Sequence, residues 1–230
     1  SLGGKYVTAG DVGMQVADMD VLGETSQFVT GRSPEKGGVG DSGILTALGI
    51  WQGIQACVEY LSGSNDLSRV TVGVIGAGKV GGRLIEHLIE SGGAKVIAMD
   101  PVASVRTDLS ATYPDLVFVD SFAEMLNFGP TIISPNAMGG FITPELVPQL
   151  TSVGVSLVCG GANNQLATPD VGDLLAAAGI LYAPDFMVNC GGVIQVAEEL
   201  VGANVERARE QVMQVYPTTL TVLESAAKAG

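Results

Sequence analysis

Six short apolar segments, separated by stretches with helical periodicity, occupy the sequence from Val70 to Pro184. The segments are VTVGVIG, AKVIAMD, DLVFVD, TIIS, VSLVCG and GILYAP. Each is rich in β-branched residues and apolar at successive positions, as expected for strands that are buried on both faces of a parallel sheet. Two of the intervening segments begin with Thr-Pro, which is typical of a helix N-terminus. This alternation predicts an α/β fold with a doubly wound, Rossmann-type parallel sheet.

Further elements are predicted on both sides of this sheet. Upstream, residues 43–63 (GILTALGIWQGIQACVEYLSG) predict a long helix after the glycine-rich loop SPEKGGVGDSG. Downstream, residues 191–204 predict one helix, and residues 205–230 predict another that Pro217 kinks or breaks. The first thirty residues predict one strand, KYVTAGDVG, and one helix, QVADMDVLGETS. Because this is too little to fold alone, we interpret it as a small remnant of a preceding α/β domain.

The charge and the cysteine pattern argue against several classes of function. With a net charge of −13 and a sequence pI of about 4.3, the chain has no basic patch for nucleic acid. Its three cysteines are far apart and it has one histidine, so neither a disulfide framework nor a metal site is predicted. No apolar run reaches the ~18 residues of a membrane span, and we expect a cytoplasmic protein. Because the chain begins at Ser1 and runs directly into two glycines, we expect it to be a piece of a longer protein.

The segment GAGKVG, residues 76–81, fits the pattern G-x-G-x-x-G between a predicted strand and a predicted helix. In such a turn the first glycine permits the tight bend, the second lets the backbone approach a pyrophosphate, and the third lets helix and strand pack closely. The helix N-terminus adds free N–H groups and a partial positive charge. The pattern alone is weak, but its context predicts a dinucleotide site formed by Gly76, Gly78, Lys79, Val80 and Gly81.

Asp100 ends the next predicted strand, where a carboxylate accepts hydrogen bonds from the ribose hydroxyls of a dinucleotide. A negative charge there repels the 2′-phosphate of NADP, so we expect NAD to be the cofactor. Arg106 is the nearby residue that weakens this preference. The alternative interpretation is that Asp100 is a solvated residue at a strand end.

Three polar residues outside the turn are candidates for the reaction site. Asp11 lies in TAGDVG, Asn163 follows the fifth strand of the predicted sheet, and Asn189 follows the sixth. Ligands of a doubly wound sheet bind at the carboxyl ends of its strands, so both asparagines are expected to face that crevice. The alternative for each asparagine is an N-cap or turn residue, its commonest role. The single histidine, His87, lies within a helical pattern and is interpreted as a surface or packing residue.

Several longer motifs, in order from Gly3 to about Ser225, resemble those of the glutamate/leucine/phenylalanine/valine dehydrogenases. They are GGKYVTAGDVG, VADMD, TGRSPEKGGVGDSGILTALGIWQG, GAGKVGG, SPNAMGG, CGGANNQLA and LYAPDFMVNCGGVIQVAEEL. The likeness is strongest to bacterial valine and leucine dehydrogenases. The resemblance implies oxidative deamination of a branched-chain L-amino acid to the 2-oxo acid and ammonia, with hydride transfer to a nicotinamide.

The resemblance also implies roles for individual residues. Asp11 matches the aspartate that exchanges protons with the attacking water or the leaving ammonia. Thr46 and Asn163 match residues that hold the nicotinamide carboxamide. Ala137 and Met138 match the loop under the adenine ribose.

On the substrate side, Asn189 matches a residue that orients the substrate or the nicotinamide end. Val193 and Val196 lie at i and i+3 on one helix face, and the matching residues of the family contact the substrate side chain. Glutamate enzymes have a hydroxyl at the position of Val196. An apolar wall at this place favours valine, leucine and isoleucine over phenylalanine, and it disfavours glutamate, whose carboxylate would lose its water without gaining a partner.

Two departures from the family pattern bear on these roles. Asn136 stands where the family usually has cysteine, a change that we expect to be tolerated. The catalytic and carboxylate-binding lysines of the family lie upstream of anything that matches KYVTAGD, and Lys5 matches a variable position. Residues 1–40 are therefore predicted to be the end of a substrate domain, and residues 41–230 an NAD-binding Rossmann domain with hinge helices.

Two hypotheses of function follow. The first is an NAD-dependent dehydrogenase of branched-chain amino acids, a homo-oligomer when complete, of which this chain is a truncated or partial form. The second is a catalytically inactive NAD-binding remnant or regulatory subunit. A hydroxy-acid dehydrogenase is disfavoured because no histidine is available as its acid–base group. We expect the chain alone to bind NAD without turnover, because Asp11 lacks a lysine that would stabilise a developing alkoxide.

Overall fold

A computed structural model describes residues 3–11 and 13–229, and within them six strands form one parallel sheet. The strands are β1 (Thr71–Ile75), β2 (Lys95–Met99), β3 (Val117–Phe118), β4 (Ile132–Pro135), β5 (Leu157–Val158) and β6 (Leu181–Tyr182). They lie in the order β3-β2-β1-β4-β5-β6. The predicted doubly wound sheet is thus confirmed. Its order reverses between β1 and β4, and folds of this kind bind ligands beyond the strand ends at that point.

Successive residues of the strands are buried in two different clusters, one on each face of the sheet. Val72 and Val74 of β1 pack into the first cluster, together with the long helix that precedes the sheet. Ile75, at the end of β1, packs into the second cluster with Ile97 and Ile133. Because both faces are covered by apolar side chains, the strands read as continuous apolar runs in the sequence.

The helices between the strands are shorter than their periodic segments. They are α3 (Lys79–Glu86, continued by a π-helical turn over His87–Ser91), α4 (Ala103–Thr112), α5 (Phe122–Leu126), α6 (Leu146–Val153) and α7 (Val171–Ala177). The two Thr-Pro pairs do not begin helices directly. A turn closes first, because the Leu146 N–H donates to the Thr143 carbonyl (3.1 Å) and the Val171 N–H donates to the Thr168 carbonyl (3.2 Å).

Before the sheet lie α1 (Val16–Gly23), a short 3-10 helix (Pro34–Lys36) and the long helix α2 (Gly43–Ser62). The predicted strand KYVTAGDVG is wrong over its described residues, where a single isolated bridge joins Thr8 to Val29; Val12 lies outside the described residues. A strand needs a neighbour that continues the ladder, and the backbone leaves this pairing after one bridge. The predicted helices in residues 15–26 and 43–63 are confirmed.

Beyond the sheet lie α8 (Asp185–Val188), which was not predicted, α9 (Gly191–Val201), α10 (Val205–Val212) and α11 (Val215–Ala229). The predicted interruption of the last helical segment by Pro217 is wrong in its position. The break falls at residues 213–214, and Pro217 lies in the first turn of α11. Proline is tolerated there because the first N–H groups of a helix have no acceptor within it.

Within the described residues, no helix is both long enough and apolar enough to span a membrane. In the same part of the chain, no group of three or more His, Cys, Asp or Glu side chains is placed to hold a metal ion.

Candidate functional site

The glycine turn lies at the carboxyl end of β1, and two of its three glycines have a steric reason within the protein. Gly76 has φ +87°, and a Cβ atom there would lie 2.7 Å from the Cβ of Ala137. A Cβ on Gly81 would overlap the Gly76 carbonyl oxygen, whereas a Cβ on Gly78 would meet no atom within 4 Å. The space above Gly78 is therefore open, next to the N–H groups that begin α3. This cradle fits the pyrophosphate of a dinucleotide.

Asp100 is almost completely buried, and its carboxylate holds the turn in place. One oxygen accepts from the Ala77 N–H (2.7 Å) and the other from the Val102 N–H (2.9 Å). Each oxygen has a second lone pair, so each can accept a further hydrogen bond. Asp100 is thus more than a solvated strand end, because it ties the second strand to the turn.

Arg106, the residue that weakened the preference for NAD, points elsewhere. Its guanidinium donates to the Asp120 carboxylate at 2.5 Å and lies 5.5 Å from the ring centroid of Phe118. With its charge engaged by another carboxylate, Arg106 does less to offset the negative charge of Asp100.

Asn136, which replaces the usual cysteine, joins the ends of two strands. Its Oδ1 accepts from the Gly161 N–H (2.9 Å), and its Nδ2 donates to the Ser134 carbonyl (2.9 Å). It thereby fixes the backbone that leads to Ala137 and Met138, which are both exposed beside the glycine turn. Sequence reasoning missed this role, because an asparagine after a strand also suits any turn.

The two candidate asparagines lie in direct contact. The Asn189 Nδ2 donates to the Asn163 Oδ1 (2.7 Å) and to the Gly161 carbonyl (3.1 Å). The amide of Asn189 therefore orients that of Asn163, which is exposed beyond the end of β5. Neither side chain caps a helix N-terminus, but Asn163 lies in a turn and Asn189 follows the last residue of α8, so the turn part of the alternative interpretation stands.

Thr46 faces the start of α9 across a very close helix contact. A Cβ on Gly192 would lie 2.5 Å from the Thr46 Oγ1, and one on Gly191 would overlap the Leu45 carbonyl oxygen. The Thr46 hydroxyl donates to the Ser42 carbonyl (2.9 Å), which leaves its oxygen able to accept a hydrogen bond. The Gly-Gly pair thus brings Thr46 next to the helix that carries the two candidate valines.

Val193 and Val196 lie in the first two turns of α9, three residues apart on the same face. Val193 is 70% exposed, and Val196 is half-buried. An exposed valine at this end of the sheet is consistent with one wall of an open cleft.

Asp11 begins a turn that contacts the start of α3. The Met14 N–H donates to the Asp11 carbonyl (3.0 Å), and the Lys79 ammonium donates to the Met14 carbonyl (2.5 Å). The backbone of this turn is therefore held beside the glycine turn, and the two are adjacent although 65 residues separate Lys79 from Met14.

A buried carboxylate on α9 binds the segment that joins the N-terminal residues to α2. Glu199 has 2% of its side chain exposed and pairs with Arg32 at 2.9 Å. It also accepts from the N–H groups of Gly31 (2.7 Å) and Val39 (3.3 Å). Sequence reasoning missed Glu199, since nothing in VAEEL separates it from an ordinary surface charge.

His87 is a packing residue, as interpreted from its position within a helix. Its ring stacks on Trp51 with 6.2 Å between centroids. Burial lowers the pKa of this imidazole below its ordinary value of 6.5, and the nearby Arg209 acts in the same direction against Glu86 and Glu90.

Comparison with known proteins gives concordant results. A family model described as Glutamate/Leucine/Phenylalanine/Valine dehydrogenase matches residues 102–216. The valine dehydrogenase of Streptomyces albus is 47% identical over 233 residues, which cover 100% of this chain and 62% of that protein. The leucine dehydrogenase of Geobacillus stearothermophilus is 39% identical, over 94% of this chain and 57% of that protein. The chain thus spans about three fifths of the length of these relatives.

Solved structures agree with the fold. The L-tryptophan dehydrogenase of Nostoc punctiforme superposes with a TM-score of 0.81 at 30% identity, covering 100% of this chain and 64% of that one. A hetero-hexameric glutamate dehydrogenase of Thermus thermophilus gives 0.73 at 23% identity, covering 97% of this chain and 58% of that one; it supports the fold alone. The motifs from Gly3 to Ser225, the sheet order and the family match converge, and the chain belongs to the glutamate/leucine/phenylalanine/valine dehydrogenase family.

Proposed function

We propose that the chain is the cofactor-binding part, with some of the substrate side, of an NAD-dependent dehydrogenase of branched-chain L-amino acids. The observation that carries this proposal is the meeting of three groups at one edge of the sheet. These are the open glycine turn, the Asn189–Asn163 pair, and the Thr46–α9 contact. The identity of 47% with a valine dehydrogenase supports the substrate class.

The dinucleotide is held from its two ends in this proposal. The N–H groups of Gly78, Lys79, Val80 and Gly81 bind the pyrophosphate, and Asp100 accepts from the ribose hydroxyls. Ala137 and Met138 lie under the adenine ribose. Thr46 and Asn163 hold the carboxamide of the nicotinamide, which accepts the hydride from the amino-acid Cα when bound.

The preference for NAD rests on charge. Asp100 is held by two backbone N–H groups and Arg106 is paired with Asp120, so a 2′-phosphate would meet an uncompensated carboxylate. A phosphate so close to a carboxylate is repelled most strongly where water is scarce.

The substrate is oriented by Asn189 and walled by Val193 and Val196. A branched aliphatic side chain gains ~0.8 kcal/mol for each methylene that this wall buries. A glutamate carboxylate would lose hydration there without a partner. Asp11 exchanges the proton with the attacking water or the leaving ammonia, and in the complete protein it acts beside a lysine.

The test has two parts. Calorimetry on the 230-residue chain should give tighter binding of NADH than of NADPH, and Asp100→Asn should narrow the difference. In the whole protein that contains this chain, NAD-dependent turnover should rank valine, leucine and isoleucine above phenylalanine, with glutamate negligible. Equal affinities would remove the role of Asp100, and a preference for glutamate would overturn the substrate assignment.

The sequence of the whole protein before residue 3 distinguishes an enzyme from an inactive nucleotide-binding subunit. The proposed enzyme requires a lysine in a glycine-rich segment there. The 230-residue chain by itself should bind NADH and give no amino-acid-dependent turnover; robust turnover would show that the catalytic lysine lies among the residues described.

A further inference from the structure

Lys79 joins the two sides of the candidate site. It is the first residue of α3, directly after Gly78, and its ammonium donates to the Met14 carbonyl. That carbonyl belongs to the turn that Asp11 begins. One side chain therefore connects the phosphate cradle to the backbone next to the candidate proton-transfer residue.

The backbone that carries Lys79 is held firmly. Arg83 donates to the Lys79 carbonyl (2.8 Å) and pairs with Asp41 (2.8 Å). The other Asp41 oxygen accepts from the Gly43 N–H (2.9 Å) at the start of α2. A Cβ on Gly43 would lie 3.5 Å from the Lys79 Cβ. The backbone of Lys79 is therefore held in place, whereas its exposed side chain can adopt different rotamers and so change the acceptors of its ammonium.

An ammonium has three donors and no acceptor, so one contact to a carbonyl leaves it two. Its place at the beginning of α3 sets it beside the N–H groups that bind phosphate. A phosphate oxygen is a stronger acceptor for a cation than a neutral carbonyl is. A bound dinucleotide and the Met14 carbonyl can therefore share this cation.

We propose that Lys79 is a positioning residue that couples occupancy of the glycine turn to the placement of the Asp11 turn. The inference rests on the proposed NAD binding. When a phosphate oxygen restricts the motion of the ammonium, its hydrogen bond to the Met14 carbonyl becomes more persistent, and the backbone of residues 9–11 and 13–15 becomes more rigid. Cofactor binding thereby restricts the position of Asp11, the candidate proton-transfer residue, before the substrate binds.

Hydrogen exchange on the 230-residue chain, with and without saturating NADH, tests this coupling. In the unaltered chain, NADH should slow exchange in the peptide covering residues 9–15 by about fivefold or more, the lower end of usual coupling between sites. Lys79→Gln should abolish that slowing even when NADH is raised to saturation, and Lys79→Arg should retain it. Lys228→Gln, an equal charge change on the exposed end of α11, should behave as the unaltered chain does.

The outcomes separate this inference from the proposal beneath it. If NADH binds and Lys79→Gln leaves the NADH-dependent slowing unchanged, the coupling is wrong while NAD binding stands. If Lys79→Gln raises exchange equally with and without NADH, so that the ratio stays the same, Lys79 is a structural contact only. If the unaltered chain fails to bind NADH, both ideas are overturned.

Discussion

The two sides of the candidate cleft are built in different ways. On the cofactor side, backbone touches backbone, and the glycine turn, β1 and α3 leave no space for a side chain at Gly81. On the N-terminal side, the described residues between 3 and 40 form one short α-helix and one 3-10 helix, and polar side chains such as Glu199 and Lys79 bind this segment to the rest of the fold. Close backbone packing on the cofactor side requires glycine at set positions, so a sequence motif reveals it. The N-terminal side is held by a few side chains that are distant in sequence, so its contacts are easier to disrupt by mutation and harder to predict.

The largest effect should come from Gly81→Ala. The new methyl would overlap the Gly76 carbonyl, so the turn must shift, and overpacking of this kind typically costs about 1–3 kcal/mol. We expect a clear loss of thermal stability and of NADH binding, measured by calorimetry.

Gly78→Ala is the matched control for that change. Its methyl meets no protein atom within 4 Å, so stability should change little while NADH binding falls. If Gly78→Ala destabilised the chain as much as Gly81→Ala, the open cradle above Gly78 would be wrong.

Glu199→Ala should destabilise the contacts of residues 31–39 without affecting the glycine turn. It removes the partner of Arg32 and the acceptor of two N–H groups, and a buried group left unsatisfied costs about 1–3 kcal/mol. Hydrogen exchange should rise in residues 31–39, with NADH affinity nearly unchanged. Glu210→Ala, on an exposed position of α10, should leave both measurements as they were. A large loss of NADH affinity in Glu199→Ala would mean that the two sides are not separable.

Val196→Ser should test whether Val196 contacts the substrate side chain. In the whole protein, kcat/KM for leucine should fall by several-fold more than that for alanine, since ~0.8 kcal/mol is at stake for each buried methylene. Val201→Ser, on the same helix and 70% exposed, should leave the ratio unchanged. An unchanged ratio in Val196→Ser would remove this residue from the pocket.

The smallest expected effect is on the pH dependence of stability, and it comes from His87, which directly follows α3. The pKa of His87 is lowered in the fold by burial, so the unfolded chain takes up this proton first as the pH falls. The contribution of neutral His87 to stability is complete above its ordinary pKa of 6.5 and is lost progressively below it. His87→Gln should flatten the pH dependence of thermal stability between pH 5 and 7, a window set by that ordinary value; an identical dependence in the variant would assign the effect to other groups.

Much of the cofactor side could be predicted because its signals are local. The apolar runs, the glycine spacing and the acidic residue at the end of β2 lie within a short stretch of sequence. The strand predicted around Asp11 was wrong because a ladder requires a partner, and among the described residues of this segment a single bridge joins Thr8 to Val29. Glu199 and Asn136 act through contacts with segments 25 or more residues away, which single-chain periodicity does not encode.

The close contact between α2 and α9 has a mechanical consequence. At Gly191 and Gly192 of α9, an added Cβ would lie within 2.5 Å of the Leu45 carbonyl oxygen and the Thr46 hydroxyl of α2, so the start of α9 has little room to slide along α2. Such a joint resists shear and transmits force. A pull applied at the start of α2 would therefore displace the proposed substrate wall with it, as one end of a rigid beam moves the other.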